Sequence, residues 1–541
     1  GGESTSCSAG VYAYSWDEGG TVSISDHASL LAIGKHSDVI SFGVYAESSY
    51  TDEASRLHAV QVTGGDLNVI CFGADENSYG IFTAMVYTPS GGEPTVQDVP
   101  GLYVSDGHVR IHNTYEGAQD HSALNAQPDL SGYGSYTWRT GMEDGFTPST
   151  TPYEYSPTHS FVEFGAAASY GVTVNGVEVD EVNYTDVLAD GVNDGKVSYE
   201  PATNTLTVSG TLTDAGYTVM PLEISGNGTT DVVLSAESST ISAGLKVFAV
   251  KDVTATAKSG NPAFTGAVDI TCSGDVTLAN SGTGMTVADA LTVNGAQNVA
   301  VTAAGAGQVI SGTTVISCSG NVSIVNSGTG MAVSASLSVT GAKDVTVTAN
   351  ANNPTIDGNA DISCSGNVKL INNGVQYAVD GKLTVSGAKD VTVSSKNYGP
   401  TVLAAVEITC SGNVTLTNKG TGMVMGSTLT VTGAKDVTVT ANTDYPAIAG
   451  AADITCSGDV KLVNLGGGRA IGGTLEIRKT DAHGYAVKTG ADLDNLTVYA
   501  EKAAGETFGP ESLSASVVKT STTHSLTKTE AKEPTCTEDG N

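Results

Sequence analysis

The heptapeptide ITCSGDV at residues 270–276 returns four times along the chain with small changes. Its copies are ISCSGNV (316–322), ISCSGNV (362–368), ITCSGNV (408–414) and ITCSGDV (454–460). The cysteine of each copy therefore follows the previous one by 46 residues. A fixed spacing of this kind indicates a repeat protein, in which every repeat packs on its neighbours.

A related phrase, LTVSGAKDVTV at 383–393, lies between two cysteine copies, and the starts of the two phrases alternate in steps of 21 and 25 residues. The structural unit is therefore about 23 residues long, and the 46-residue repeat contains two units. Apolar residues alternate in each unit, as at Val276 and Leu278, and a third short strand follows at positions such as Val287. Strands this short bury a face only by stacking on copies of themselves.

Three short strands in a unit of this length predict an all-β protein with a parallel β-solenoid fold. The coil length resembles that of the right-handed parallel β-helix family, and this resemblance implies the right-handed form. We expect two successive β-helical segments joined by a connector that contains β-hairpins. The predicted boundaries are an irregular β-helix over 1–140, the connector over 141–215, the regular β-helix over 216–504 and a polar tail or the start of a further module over 505–541. Twelve phrase starts from Leu245 to Leu496 predict that regular coils continue to Leu496.

Two hairpins are expected in the connector. VTVNGVEV (172–179) has an Asn-Gly pair at its centre, which favours a two-residue turn. VSYEPATNTLTV (197–208) has two alternating strands around a longer loop.

The recurring cysteines are expected to be free. Stacked coils lie about 4.8 Å apart, so cysteines in every second coil would be about 10 Å apart. A disulfide requires Cα atoms within about 7 Å. We therefore predict buried, inert thiols that alternate down one column with the intermediate coils' valines: Val293, Val339, Val385 and Val431. A metal site is the alternative, but neither His nor a CxxC partner accompanies these cysteines.

The composition excludes several classes of partner. Asp and Glu number 57 against 24 Lys and Arg, which gives a net charge of −33. This charge argues against nucleic acid and against anionic membrane surfaces, because both are bound through cationic side chains. No apolar run approaches 18 residues, so no membrane insertion is predicted. The chain begins at Gly1 without a signal peptide, and we expect a mature product or an excised piece.

The aromatic residues favour a ligand site in the N-terminal half, since 21 of the 32 Phe, Trp and Tyr lie before residue 171. Sugar-binding sites combine aromatic surfaces with a few polar groups. The densest such cluster contains Tyr133, Tyr136, Trp138 and Arg139, which we predict to bind ligand. The alternative is that Trp138 and its tyrosines cover the open end of the first solenoid.

One acidic loop is a calcium candidate. Asp186, Asp190 and Asp194 crowd a short segment that also contains Gly191 and Asn193. Ca²⁺ prefers such oxygens, although the spacing does not match an EF-hand. A solvated turn is the alternative, and otherwise no cofactor or metal is predicted.

Several stretches resemble a family of Gram-positive, gut-type bacterial cell-surface proteins with tandem β-helix modules, often labelled carbohydrate-binding repeats. The resemblance lies in YTWRTGMEDGFTPS (136–149), TPYEYSPTHSFVEF (151–164), YGVTVNGVEV (170–179), DVLADGVNDGKVSYEPATNTLTV (186–208) and the tail HSLTKTEAKEPTCTEDGN (524–541). It implies a secreted or cell-wall-associated protein. The loop at 189–195 is longer than the family pattern, which bears on a turn only.

The sequence and the resemblance together favour a non-catalytic, adhesin-like surface protein, a stalk and display module with glycan recognition in its N-terminal half. Its predicted partners are glycans or proteins on host or neighbouring cells. One alternative is a carbohydrate-binding module proper. Another is a polysaccharide lyase or glycoside hydrolase, which would need paired carboxylates or a Ca²⁺ cluster with a basic residue. The repeat has no arginine from 255 to 468, and no isolated acidic pair is evident in it.

Overall fold

The computed structural model describes residues 7–523 except 15–20, 26–27, 36, 38–39, 51–57, 73, 75–76, 89, 91, 98, 115–119, 141–148, 150, 188–196, 211–220 and 238–239. All regular structure in these residues is β-strand. The described chain accordingly contains no helix that could cross a membrane. Two compact units are present, one formed by 1–171 and 178–185 and the other by 172–177 and 186–541. Residues of the predicted connector are thus divided between the two units.

The first unit is an irregular parallel β-helix, as the sequence predicts. Its strands are β1 (Cys7–Ala13), β2 (Val22–Ile24), β3 (Ser29–Gly34), β4 (Ile40–Tyr50), β5 (Val60–Cys71), β6 (Asn77–Tyr87), β7 (Thr95–Gln97), β8 (Leu102–Asn113), β9 (Asp120–Leu124), β10 (Tyr136–Arg139) and β11 (Phe161–Ala166). Strands β1, β4, β6 and β9 stack in parallel on one side. Strands β2 and β3 both pair in parallel with β5, which pairs with β8 on the other side.

The last coil of the first unit is covered by strands that run the other way. Strand β11 pairs antiparallel with β8, and β10 pairs antiparallel with β11. Val162 and Phe164 of β11 point into the core, where both are fully buried. Antiparallel strands of this kind end a parallel stack, because they occupy the hydrogen-bonding edge that a further coil would need.

Both predicted hairpins are confirmed. Strands β12 (Ser169–Val174) and β13 (Val177–Asp180) are joined by Asn175 and Gly176, whose φ angles of 49° and 80° suit a type I′ turn. Strands β14 (Val197–Glu200) and β15 (Thr205–Ser209) pair antiparallel. Strands β12 and β15 then pair with the first strands of the regular solenoid.

The regular solenoid has two long parallel sheets. The first contains the even strands β16 (Leu222–Ser225), β18 (Leu245–Val250), β20 (Val268–Cys272), β22 (Leu291–Ala296), β24 (Thr314–Cys318), β26 (Leu337–Ala342), β28 (Ala360–Cys364), β30 (Leu383–Ala388), β32 (Val406–Cys410), β34 (Leu429–Ala434), β36 (Ala452–Cys456) and β38 (Thr474–Lys479). The second contains the odd strands β17 (Asp231–Ala236), β19 (Val253–Ala257), β21 (Val276–Asn280), β23 (Val299–Ala303), β25 (Val322–Asn326), β27 (Val345–Ala349), β29 (Val368–Asn372), β31 (Val391–Ser395), β33 (Val414–Asn418), β35 (Val437–Ala441) and β37 (Val460–Asn464).

The predicted third face is also present, reduced to one bridging residue per coil. Single parallel bridges connect eleven stacked residues from Ser242 to Ile471, including Val287 and Ile356. Inward residues of the long strands alternate with outward ones, as the buried positions Val276, Leu278 and Asn280 of β21 illustrate. The regular solenoid is therefore a three-faced parallel β-helix whose core is a set of stacked columns.

The cysteines are free and buried, as predicted, but their column is not the predicted one. Cys318 faces Ala296 of the coil before it, whereas Val293 faces Ile316. The predicted column requires Leu291 to pair with Ile316, but Leu291 pairs with Thr314, two residues earlier. A β-bulge at Gly295, with φ of 77°, adds one further residue and brings Ala296 opposite Cys318. Burial raises the pKa of Cys272, Cys410 and Cys456 to about 11, so these thiols stay protonated and unreactive near neutral pH.

Aspartates that recur at one turn of the repeat connect neighbouring coils. The carboxylate of Asp344 accepts a hydrogen bond from the backbone N–H of Asn367, 23 residues later. Asp390 accepts the same bond from Asn413, and Asp436 from Asp459. These three aspartates therefore have a structural role, since each satisfies a backbone N–H group of the next coil.

The C-terminal end of the solenoid differs from the expectation. It is covered by β39 (Gly484–Gly490), β40 (Leu496–Lys502), β41 (Thr507–Ser512) and β42 (Val517–Thr523). Strand β40 pairs antiparallel with β39, so Leu496 does not start a coil. Strands β41 and β42 pair antiparallel with β38 and β37. Much of the segment predicted as a polar tail therefore covers the edges of the last coil, while residues 524–541, with Cys536, lie outside the described residues.

Candidate functional site

The four residues predicted to bind ligand do not form one site. Tyr136 and Trp138 on β10 pack against the core of the first unit. Arg139, one position on, lies on the opposite face of the strand, beside Glu163 and above the Phe161 ring. Successive side chains of a strand alternate between its two faces, so residues adjacent in sequence were separated.

Tyr133 and Tyr136 line a cleft of about 540 Å³ in the first unit. Its walls are formed by Gln127, Pro128, Leu130, Ser131, Tyr133, Gly134, Ser135, Tyr136, Pro152, Tyr153 and Val182. None of the lining residues that the structure describes is charged, although the chain has a net charge of −33. The cleft therefore suits a neutral ligand that offers apolar faces and hydroxyl groups.

The tyrosines of the cleft are held in place by backbone groups. The hydroxyl of Tyr133 donates to the carbonyl of Gly107 at 2.9 Å, and burial raises the pKa of this phenol well above its ordinary value. The hydroxyl of Tyr136 accepts from the N–H of Tyr153 at 3.0 Å. Gln127 adds a donor to the carbonyl of Tyr153 at 2.8 Å and an acceptor for the N–H of Tyr155 at 2.7 Å.

Tyr136 is the aromatic surface that a ligand can reach. Its ring is half-buried, whereas Tyr133 and Tyr153 are 6% and 3% exposed. The Tyr133 and Tyr136 rings are tilted, with centroids 5.8 Å apart. Because its hydroxyl and the ring behind it are fixed, Tyr136 presents one prearranged face to the cleft.

Trp138 supports the cleft from behind and does not line it. The indole Nε1 donates to the carbonyl of Thr151 at 2.6 Å. Its ring meets Tyr153 edge-to-face at 5.1 Å, and Tyr153 meets the buried Phe164 in the same way at 5.0 Å. This part of the predicted cluster thus packs the end of the first β-helix, as the structural alternative for Trp138 expects.

Arg139 belongs to a charged cluster on the outer face of β8, β11 and β10. Glu163 accepts from the Arg139 guanidinium and contacts Nε2 of His108 at 2.5 Å. Burial would raise the pKa of the Glu163 carboxyl, but the hydrogen bonds from Arg139 and His108 lower it below its ordinary value. Glu163 is therefore ionised, and it holds the Arg139 guanidinium and the His108 ring in place.

An aromatic ladder on the outer face of β1, β4 and β6 was not anticipated from the sequence. Tyr12 stacks on Tyr45 at 4.8 Å, and Tyr45 stacks on Phe82 at 5.6 Å. The three residues are register partners in consecutive coils. The three residues are 33 and 37 residues apart in the sequence. Because these coils differ in length, no constant repeat spacing indicates the ladder in the sequence. The stacked rings cover one another's faces, so the ladder contributes packing between coils.

The calcium candidates are only partly described. Asp186 is buried at 7% exposure, whereas Asp190 and Asp194 lie outside the described residues. Among the residues that the structure describes, no three His, Cys, Asp or Glu side chains are grouped as a metal site. The calcium site therefore stays a prediction.

The repeat does contain an acidic pair that the sequence reasoning overlooked. Asp357 and Asp380 occupy equivalent positions in adjacent coils, where the neighbouring coils have Ser334 and Leu403. Burial raises the pKa of Asp357, and the hydrogen bond and charge of Asp380 raise it further. Equivalent positions in adjacent coils place the two carboxyls side by side, and the negative charge of one disfavours the ionised form of Asp357.

A further cleft of about 390 Å³ carries two carboxylates. It is lined by Thr63, Gly64, Gly65, Asp66, Asp106, Gly107 and His108. Asp66 and His108 are register partners on β5 and β8. The carboxylates and the imidazole of this cleft give it the groups that acid–base chemistry uses.

Comparison of the chain with protein-family models, with curated proteins and with solved structures finds no match.

Proposed function

We propose that this chain is a non-catalytic, adhesin-like binding protein of the bacterial cell surface, and that the tyrosine cleft recognises a neutral glycan. The observation that supports this function is an uncharged cleft of about 540 Å³ in which Tyr136 is half-exposed and held from behind. Aromatic rings bind the apolar faces of sugars, and neighbouring serines and amides bind their hydroxyls. Partners on host or neighbouring cells and export to the cell surface are parts of the same proposal.

The regular solenoid acts as the stalk and display module. Its eleven stacked third-face residues span ten steps, which amounts to about 48 Å at the spacing of parallel strands. Most of its inward positions are apolar, the buried asparagines such as Asn372 are satisfied by hydrogen bonds, and its turns bond the next coil. Such a rod serves as a spacer without chemistry of its own.

The full-length chain should be tested on an array of plant, mucin and microbial glycans, with and without Ca²⁺. We expect saturable binding of a neutral glycan that falls by at least about ten-fold in Tyr136→Ala, because the exposed ring is lost. Tyr136→Phe keeps the ring and should keep most of the affinity. The matched control is Tyr398→Ala, which removes a solenoid tyrosine that is 82% exposed. Absence of neutral-glycan binding, or equal binding by Tyr136→Ala, would overturn the proposal.

A second candidate function is a polysaccharide lyase or glycoside hydrolase, favoured by Asp66, Asp106 and His108 in the smaller cleft. The same array should then be read for cleavage products. Turnover that disappears in Asp106→Asn, with unchanged unfolding, would favour the enzyme. Binding without cleavage would favour the adhesin.

A further inference from the structure

Two guanidinium groups lie over one aromatic ring in the first unit. The Arg110 guanidinium carbon is 5.5 Å from the centre of the Phe161 ring, and that of Arg139 is 5.9 Å from it. Phe161 is on the outer face of β11, yet only 3% exposed, because these side chains and His112 cover it. The two cations thus form a patch on the outer surface, which we name the arginine patch (Arg110, Arg139 and Phe161).

The charge surroundings make this patch unusual. Residues 1–171 contain four Lys and Arg against 21 Asp and Glu, and two of these four cations share the Phe161 ring. Among the described residues, Glu163 is the carboxylate that pairs with the patch, and two arginines with one glutamate give a formal charge of +1. Asp66 lies on the same outer face of β5, opposite His108. Although the chain has a net charge of −33, the two guanidinium groups of this patch attract an anionic group at close range.

The two arginines differ in their ion pairing. Arg139 is paired with Glu163 and is held in place by it. Arg110 has no ion pair among the described residues, and its contact with Phe161 through the ring face leaves its N–H groups free to donate. Burial and the charge of Arg110 lower the pKa of the neighbouring His112. This imidazole is therefore neutral near pH 7, and Arg110 carries the positive charge at this position.

The neighbouring strand adds a polar group. Asn68 on β5 is the register partner of Arg110 on β8, and Glu163 on β11 is its partner on the other side. The amide of Asn68 and the guanidinium of Arg110 therefore lie next to each other across the outer face of the sheet. Planar guanidinium groups bind carboxylates and sulfates in a bidentate manner, and an adjacent amide can contact sugar hydroxyls.

We propose that the arginine patch is a second binding site, separate from the tyrosine cleft, for a sugar-borne oxyanion: the carboxylate of a uronic acid or a sulfate ester. Arg110 supplies the free donors and Asn68 the polar neighbour. Arg139 extends the cationic surface and fixes Glu163. The site does not rest on the glycan function proposed for the cleft, because Arg139 and Tyr136 point to opposite faces of β10.

The test uses the full chain at physiological salt in EDTA, so that Ca²⁺ cannot bridge an acidic ligand to the acidic surface. Calorimetric titration compares an oligogalacturonate, its neutral methyl ester and a sulfated neutral oligosaccharide. We expect one or both anionic sugars to bind, and the methyl ester to bind at least about ten-fold more weakly. Whether the carboxylate or the sulfate ester binds better identifies the source of the oxyanion.

Arg110→Met keeps an unbranched side chain over Phe161 and removes the charge, so it should fold as the wild type does and lose at least about ten-fold in affinity. Arg478→Gln is the matched control, because Arg478 is paired with Asp453 and Glu476 on the solenoid and should not contribute. Equal binding of the methyl ester, equal binding of poly-glutamate or unchanged binding by a folded Arg110→Met variant would overturn the proposal. Loss of neutral-glycan binding in Tyr136→Ala alone would leave it intact.

Discussion

Asn372 shows how a single polar side chain stabilises a coil of the solenoid. It lies in an inward column with Asn280, Asn326, Asn418 and Asn464, and each of these is at most 2% exposed. The Asn372 amide nitrogen donates to the carbonyls of Asn353 and Tyr377, and its oxygen accepts from the N–H of Gly374. One side chain thus satisfies three backbone groups at a turn where no strand can do so.

We expect Asn372→Ala to lower the free energy of unfolding by about 2–4 kcal/mol, because it leaves several buried backbone groups without partners. The measurement is denaturant-induced unfolding of the full chain. Asn367→Ala is the control, since Asn367 bonds Asp344 through its backbone N–H and not through its side chain. Similar losses in both variants would show that the side-chain hydrogen bonds of Asn372 are not the stabilising feature.

At the scale of stacked elements, Asp357 and Asp380 place two acids at equivalent positions before β28 and β30. The pKa of Asp357 is raised by burial and by its neighbour, so the folded state binds its proton more tightly than the unfolded state does. The favourable contribution of this proton is present at low pH and is lost as the pH rises through the raised value. The pair therefore destabilises this part of the solenoid near neutral pH.

Asp380→Asn should consequently raise the melting temperature at pH 7, and the gain should shrink as the pH falls below the ordinary aspartate pKa of about 3.9. Thermal unfolding followed by circular dichroism across this range provides the measurement. Asp361→Asn removes a carboxylate from the same coil without touching the pair, and separates relief of the pair from relief of general negative charge. A pH-independent gain in Asp380→Asn would contradict the coupling.

At the scale of the whole molecule, the two compact units have separate hydrophobic cores. We expect calorimetry of the full chain to resolve two unfolding transitions. Ile111→Ala and Leu370→Ala each truncate a fully buried side chain, one in each unit, at a cost of about 2–5 kcal/mol. Each variant should shift one transition and leave the other in place. One transition that both variants move would show that the chain unfolds as a single cooperative body.

The candidate site was predictable only in part. Composition pointed to the N-terminal half, and Tyr133 and Tyr136 do line a cleft there. Trp138 and Arg139 were grouped with them because they are close in sequence, but strand alternation turned Arg139 to the other face. The partner of Arg139 in the patch, Arg110, comes from a different strand that only the β8–β11–β10 pairing brings near.

The sequence by itself determined the β-helix, its coil of about 23 residues and the two hairpins, because alternation, repeat length and an Asn-Gly turn are local properties of the chain. Tertiary structure decided the cysteine register, because Leu291 pairs with Thr314 and not with Ile316, which leaves Val293 opposite Ile316. The bulge then adds one residue and places Ala296 opposite Cys318. It also decided that β40 pairs antiparallel with β39 and does not form a further coil, because the sequence of a strand does not specify the direction of its partner. Convergence of distant side chains at the cleft and at the arginine patch depends on long-range strand pairing, which no local pattern records.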